Sequence, residues 1–328
     1  MYDRIVVPLD GTPFGEYGIR YATAIALRSG AALELVHIHV PAHLEPELFE
    51  VPVFHYTGVV RRDAEYDYEH LVKEREQLED VARKLSEKTG LRVTGRVAVG
   101  TVDRTLEREA EAFGADLIVM STHARTGLDR VRFGSVGDAV VRHATVPVLL
   151  VHPSEHALET DSIPEFRRIL VPLDGSEFSE QVLVAAGRLA KLFGSQMHLL
   201  HVQAPPSLRT FNRDLHDDDG HVTTMHFTAE QYLQYVTGEY ASDLETPVLA
   251  VTMAKSAIAG ILDAVHGSQP DIIAMATHGR GGLKRMLLGS TAGDVLYNAG
   301  VPVLLFRPQG HGMLGSTAGS VSAGHTVI

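Results

Sequence analysis

Two short segments of this sequence carry residue types, at a spacing, that could hold an anion. The first runs from Ser121 through Ala124, Arg125 and Gly134 to Ser135 and Val136; the second runs from Ala276 through Gly279, Arg280 and Gly289 to Ser290 and Thr291. In each, an apolar run of strand length ends in small residues, a basic side chain follows, and a Gly-Ser pair stands where a helical pattern begins. A helix N-terminus offers unpaired backbone N–H groups and a partial positive charge, and glycine lets an oxygen-rich ligand approach that backbone closely. The serine after each glycine can add its hydroxyl and its amide, which makes phosphate the natural candidate. Either arginine could pair with a terminal phosphate or simply face solvent. Asp10 and Asp174 close the first apolar run of each half in the motif PLDG and could accept hydrogen bonds from a ribose or a base amine. The alternative for both is an Asx turn or helix cap, because Asp-Gly-Thr and Asp-Gly-Ser precede helical patterns.

Other chemistries lack their residues. There is no GxxxxGK[ST] loop, no G-x-G-x-x-G after the first strand and no G-x-S-x-G elbow. The 18 histidines include His37 and His39 on one strand face, with His43 after them, but Gln203 stands at the place of His39 in the second half. No acidic or cysteine partner recurs at ligand spacing, so no metal centre is expected. With no cysteine in the chain, thiolate catalysis and a disulfide framework are excluded.

The elements that position these residues are themselves repeated. Residues 116–151 align without a gap with 271–306 at an offset of 155 (Asp116 to Asp271), while Arg4–Phe14 align with Arg168–Phe178 at 164 (Asp10 to Asp174). The second copy has therefore lost residues in its middle, and two homologous domains in tandem are the simplest account. The domains are expected at 1–153 and 166–308, joined by a polar linker at 154–165 with proline near its ends and followed by a Gly/Ser-rich, disordered tail at 309–328. In each copy, short β-branched runs alternate with longer amphipathic segments, the signature of a parallel sheet flanked by helices. Strands are expected near 3–9, 32–39, 92–99, 116–122 and 147–152, then 168–173, 196–203, 247–253, 271–277 and 302–307. Helices fill 14–29, 61–89, 102–113 and 135–144, then 178–193, 228–242, 256–267 and 290–299. The stretches 41–60 and 204–226 read as irregular, with the acidic run at Asp217 to Asp219 as a solvated loop. Runs such as IVV, LIVM and VLLV are apolar on both faces and belong in central strands of an open, doubly wound sheet. Ligands of such sheets sit beyond the carboxyl ends of the strands, where strand order reverses, so one cleft can be lined by the aspartate, the small-residue loop and the Gly-Ser pair.

At 328 residues and 45% apolar content the chain can build two packed cores. A formal charge of −12 without a Lys/Arg-rich run argues against general nucleic-acid binding. The N-terminal MYDRIVVPLD enters a strand pattern directly and no run of 18 apolar residues exists, so a cytoplasmic protein with no membrane association is expected.

Both halves, over residues 2–152 and 166–308, resemble the universal stress protein family, whose nucleotide-binding members carry G-x2-G-x9-G-[ST] after the fourth strand. The second half reads Ala276-x2-Gly279-x9-Gly289-Ser290 and the first Ser121-x2-Ala124-x9-Gly134-Ser135, one and two glycines short. The resemblance implies two tandem, doubly wound, five-stranded parallel sheets of Rossmann-like, adenine nucleotide alpha hydrolase-like type. It also implies ATP as ligand, with Mg2+ as an accompanying ion. Carried over by position, Pro8, Leu9 and Asp10 border the adenosine, Ile38 meets the adenine through its backbone, and Met120, Ser121, Ala124, Arg125, Gly134, Ser135 and Val136 line the phosphate side. Gly100, after the third strand, is a glycine often seen near the site in this family, and its counterpart by offset is Lys255. The second set is Pro172, Leu173, Asp174, Val202, Met275, Ala276, Gly279, Arg280, Gly289, Ser290 and Thr291. The family pairs domains through the fifth strand, so VPVLLV and VPVLLF are expected to form a pseudo-twofold contact within the chain, with a homodimer as a further option. The function implied is an ATP-binding sensor or regulator of the stress response, with hydrolysis slow or absent. The alternatives are a nucleotide-free scaffold acting through protein partners and, less in keeping with PLDGTP and PLDGSE, an adenylyl-transferring enzyme. A valine at Gly289 is expected to block phosphate with little loss of stability.

Overall fold

The structure, a computed structural model, describes residues 1–41, 60–122, 135–152, 163–203, 211–216, 222–240, 247–277 and 289–308. The first half contains β1 (Arg4–Leu9), α1 (Pro13–Ser29), β2 (Ala32–His39), α2 (Val60–Thr89), β3 (Val93–Val99), α3 (Val102–Phe113), β4 (Leu117–Ser121), α4 (Ser135–His143) and β5 (Val148–Val151). The second contains β6 (Arg168–Pro172), α5 (Glu177–Glu180), α6 (Val182–Phe193), β7 (Gln196–Gln203), β8 (Phe211–His216), β9 (Val222–Phe227), α7 (Ala229–Tyr240), β10 (Val248–Met253), α8 (Ala257–Ser268), β11 (Ile272–Ala276), α9 (Ser290–Asn298) and β12 (Val303–Phe306).

Local chemistry sets the helix ends. Thr12 caps α1 by accepting the Gly15 amide at 3.0 Å, Pro13 fixes the first turn, and Gly30 stops the helix at φ 76°. Gly194 stops α6 in the same way at φ 65°. The helix expected over 178–193 is divided at Gln181 into α5 and α6.

The two expected sheets form one. The strand order is β10-β7-β6-β11-β12-β5-β4-β1-β2-β3, parallel within each half, and the halves join where β12 runs antiparallel to β5 with Leu304 opposite Leu149. The reason is burial: Val148, Leu149 and Leu150 with Val303, Leu304 and Leu305 are at most 2% exposed, and strands this apolar cannot stand at an edge. Alternation sends Leu149, Val151 and Leu304 into a layer with α1, α2, α6 and α7. Val148, Leu150, Val303 and Leu305 enter the opposite layer with α3, α4, α8 and α9. Both apolar layers thus cross the seam without interruption.

The stretch expected to be irregular over 204–226 holds a hairpin, in which β8 pairs antiparallel with β9 from Phe211 opposite Phe227 to His216 opposite Val222. The signal for it is the pair of strand-length runs FNRDLH and VTTMHF on either side of Asp219-Gly220, while the acidic run Asp217 to Asp219 lies outside the described residues. The stretch 42–59, most of the linker and the whole tail lie outside the described residues. Among the described residues, no helix is long and apolar enough to cross a membrane.

Candidate functional site

Strand order reverses beside β1, which pairs with β2 on one side and β4 on the other, and beside β6, which pairs with β7 and β11. The carboxyl ends of β1 and β4 carry Asp10 and Ser121, and those of β6 and β11 carry Asp174 and Ala276. Each aspartate anchors a turn. Asp10 Oδ1 accepts from the Thr12 amide at 3.0 Å and the Thr12 hydroxyl at 2.7 Å, and Asp174 Oδ1 does the same for Ser176 at 3.0 and 2.6 Å. Thr12 and Ser176 then cap α1 and α5, so in each half one carboxylate oxygen organises the helix that follows the PLDG motif. Asp10→Asn keeps an acceptor for this turn and is expected to leave thermal stability nearly unchanged, whereas Asp10→Ala is expected to cost about 1 kcal/mol in a denaturation experiment. Equal losses in the two variants would show that the turn does not depend on the acceptor.

The Ser121 hydroxyl is committed to the backbone of α1. It accepts from the Gly18 amide at 2.9 Å and donates to the Gly15 carbonyl at 3.0 Å, riveting β4 to α1. A Cβ on Gly18 would stand 3.4 Å from the Ser121 amide and hydroxyl, so small residues here serve close helix-strand approach. Ala276, its counterpart, is buried, and Met120 and Met275 are core side chains of the layer with α3, α4, α8 and α9. Pro8 and Pro172 are half-buried, while Leu9 and Leu173 are buried. Ile38 and Val202 pack against that same layer. Gly100 adopts φ 145°, and a Cβ there would stand 2.5 Å from the Thr105 hydroxyl, a local reason for glycine; Lys255 at the corresponding place is exposed.

The repeated histidines acquire a role that spacing alone did not supply. His37 Nδ1 lies 2.9 Å from the Leu9 carbonyl and His201 Nδ1 2.7 Å from the Leu173 carbonyl; since a carbonyl only accepts, each ring donates to the strand end just before the aspartate. Glu74 of α2 places its carboxylate 2.8 Å from His39 Nδ1 and 3.5 Å from His37 Nε2. This acidic partner comes from another element, which is why sequence spacing does not reveal it. In the second half Tyr232 takes the corresponding place, edge-on to His201 with centroids 6.1 Å apart, and burial together with the Glu180 carboxylate pushes its phenol pKa up. Among the described residues, no group of three or more His, Cys, Asp or Glu side chains could hold a metal ion.

The Gly-Ser pair of the second half is the better defined. Gly289 caps α9, donates its amide to the Thr277 carbonyl at 2.9 Å and so ties the helix start to the end of β11. Among the described residues no side chain caps α9 and its first turn carries no acidic residue, in contrast to α1, α5 and α8, whose first turns are capped by Thr12, Ser176 and Ser256. Ser290 is exposed and Thr291 half-buried. A Cβ on Gly289 would stand 2.8 Å from the Thr277 carbonyl oxygen, which corrects the expectation for valine: that substitution disturbs the backbone as well as the cradle. Ala124, Arg125, Gly134, Gly279 and Arg280 lie outside the described residues, and of Ser135 and Val136 only the helical backbone is described.

The sequence profile described as the Universal stress protein family matches residues 1–152 and 165–307. The chain belongs to that family. A universal stress protein of Mycolicibacterium smegmatis is 25% identical over 310 residues, covering 93% of this chain and 97% of its own. One of Methanocaldococcus jannaschii is 30% identical over 156 residues, 46% of this chain and 82% of its own. Among solved structures, a universal stress protein from Archaeoglobus fulgidus superposes with a TM-score of 0.66 at 18% identity, covering 93% of this chain and 98% of that one, a likeness of fold. The family profile is thus matched twice in tandem, with both domains on one sheet.

Proposed function

We propose that this chain is an ATP-binding sensor or regulator in a cytoplasmic stress response, turning ATP over slowly or not at all. The observation that carries the reading is the start of α9, where Gly289 presents a first turn that no described side chain caps, at the carboxyl end of β11 and beside the reversal of strand order. Ser290 and Thr291 would hold the phosphates there, with Mg2+ accompanying them, and the adenosine would lie toward Asp174 and Val202. The first domain offers the equivalent set around Asp10 and Ser135.

A second reading, a nucleotide-free scaffold, draws on the first domain, where the Ser121 hydroxyl is committed to α1 and one oxygen of Asp10 to its own turn. Titration calorimetry with ATP, together with analysis of co-purified nucleotide, separates the two. Saturable binding without rapid ADP release is expected. No heat, no thermal shift and no bound nucleotide would leave the scaffold, and rapid turnover would indicate an enzyme.

A further inference from the structure

One side chain ties the end of β4 in the first domain to α9 in the second. His152 follows β5 in the first domain and lies half-buried at the seam, with Nε2 2.6 Å from the Leu296 carbonyl oxygen in α9 of the second domain. Its Nδ1 meets the hydroxyl of Thr122, the residue that directly follows β4. Because a carbonyl only accepts, Nε2 carries the hydrogen, and Nδ1 is left with the lone pair that the Thr122 hydroxyl fills. Burial holds the His152 pKa below the ordinary value, which favours this neutral ring. Thr122 is itself fixed, its amide donating to the Val151 carbonyl at 2.9 Å.

The far end of the connection is a stiff lever. Leu296 lies in the later part of α9, and a nine-residue helix spans only about 14 Å, so a hold on Leu296 restricts where Gly289 and Ser290 sit. The repeat is not symmetric at this point: at the offset of 155, His152 corresponds to Arg307.

We infer that His152 is a positioning residue through which the first domain sets the anion cradle of the second, so that ligand at either site changes the affinity of the other by the same factor. The coupling of ligands rests on the nucleotide-binding reading; the mechanical link does not. The test uses the full chain and three variants. His152→Phe keeps ring volume and loses both bonds, Thr122→Val changes only the first domain, and His152→Gln restores a donor near the reach of Nε2. Hydrogen exchange at Gly293 to Leu296, read without ligand, is expected to quicken about tenfold in the first two variants and to recover in the third, with α8 and β6 unchanged. Unchanged exchange in α9 for both His152→Phe and Thr122→Val would overturn the inference, as would an equal rise throughout the second domain, the mark of a merely structural residue. ATP titration of the same proteins is expected to show weaker second-site binding in Thr122→Val. Altered exchange in a protein that binds no ATP at all would uphold the link and remove only the nucleotide reading.

Discussion

Ser290→Glu is expected to abolish ATP binding in the second domain while leaving that domain at least as stable as before. The two effects have opposite signs for one physical reason. A carboxylate at the first position of α9 complements the positive end of the helix and contributes about 0.3–1 kcal/mol to folding. The same charge repels a phosphate that approaches the same amides, by about 4 kcal/mol at 4 Å in a partly solvated site, or more than about a hundredfold in affinity. Ser290 is exposed, so the longer side chain meets no core. Calorimetry and thermal denaturation on one sample decide the matter: unchanged affinity would place the nucleotide elsewhere, and a lowered melting temperature would show that α9 does not begin as described. Gly289→Val is the weaker test, because its Cβ would press on the Thr277 carbonyl and mix misfolding with lost binding.

Leu149→Ala is expected to destabilise both domains together, by about 2–5 kcal/mol in a single unfolding transition. Leu149 is fully buried and stands opposite Leu304 on the antiparallel seam. Its layer includes residues from α1 and α2 of one domain and α6 and α7 of the other, so the cavity is felt on both sides. Loss of amide protection should therefore appear in β4 and in β11 alike. Two separated transitions, only one of them shifted, would show that the seam is a contact between independently folding domains. The seam also bears on assembly, since β5 and β12 already pair with each other within this chain and neither is left as a sheet edge. A homodimer, where it forms, needs another surface.

The repeat, the alternation of short apolar runs with amphipathic segments and the Gly-Ser pairs determined the fold class, the tandem plan and nearly every element, because hydrophobic periodicity reports burial directly. Asp10 and Asp174 were legible as turn formers or ligand contacts, and the structure shows the turn. Contacts between residues far apart in sequence were not legible. Glu74 reaches His37 and His39 from α2, Ser121 spends its hydroxyl on the backbone of α1, and His152 crosses to α9. Each depends on which elements pack together, and the periodicity of a single segment carries no information about its neighbour. The fusion of two sheets into one lies between these cases: VLLV and VLLF announced that neither strand could end a sheet and the family resemblance implied their contact, while only the tertiary structure showed that contact to be an antiparallel ladder joining both halves in one sheet.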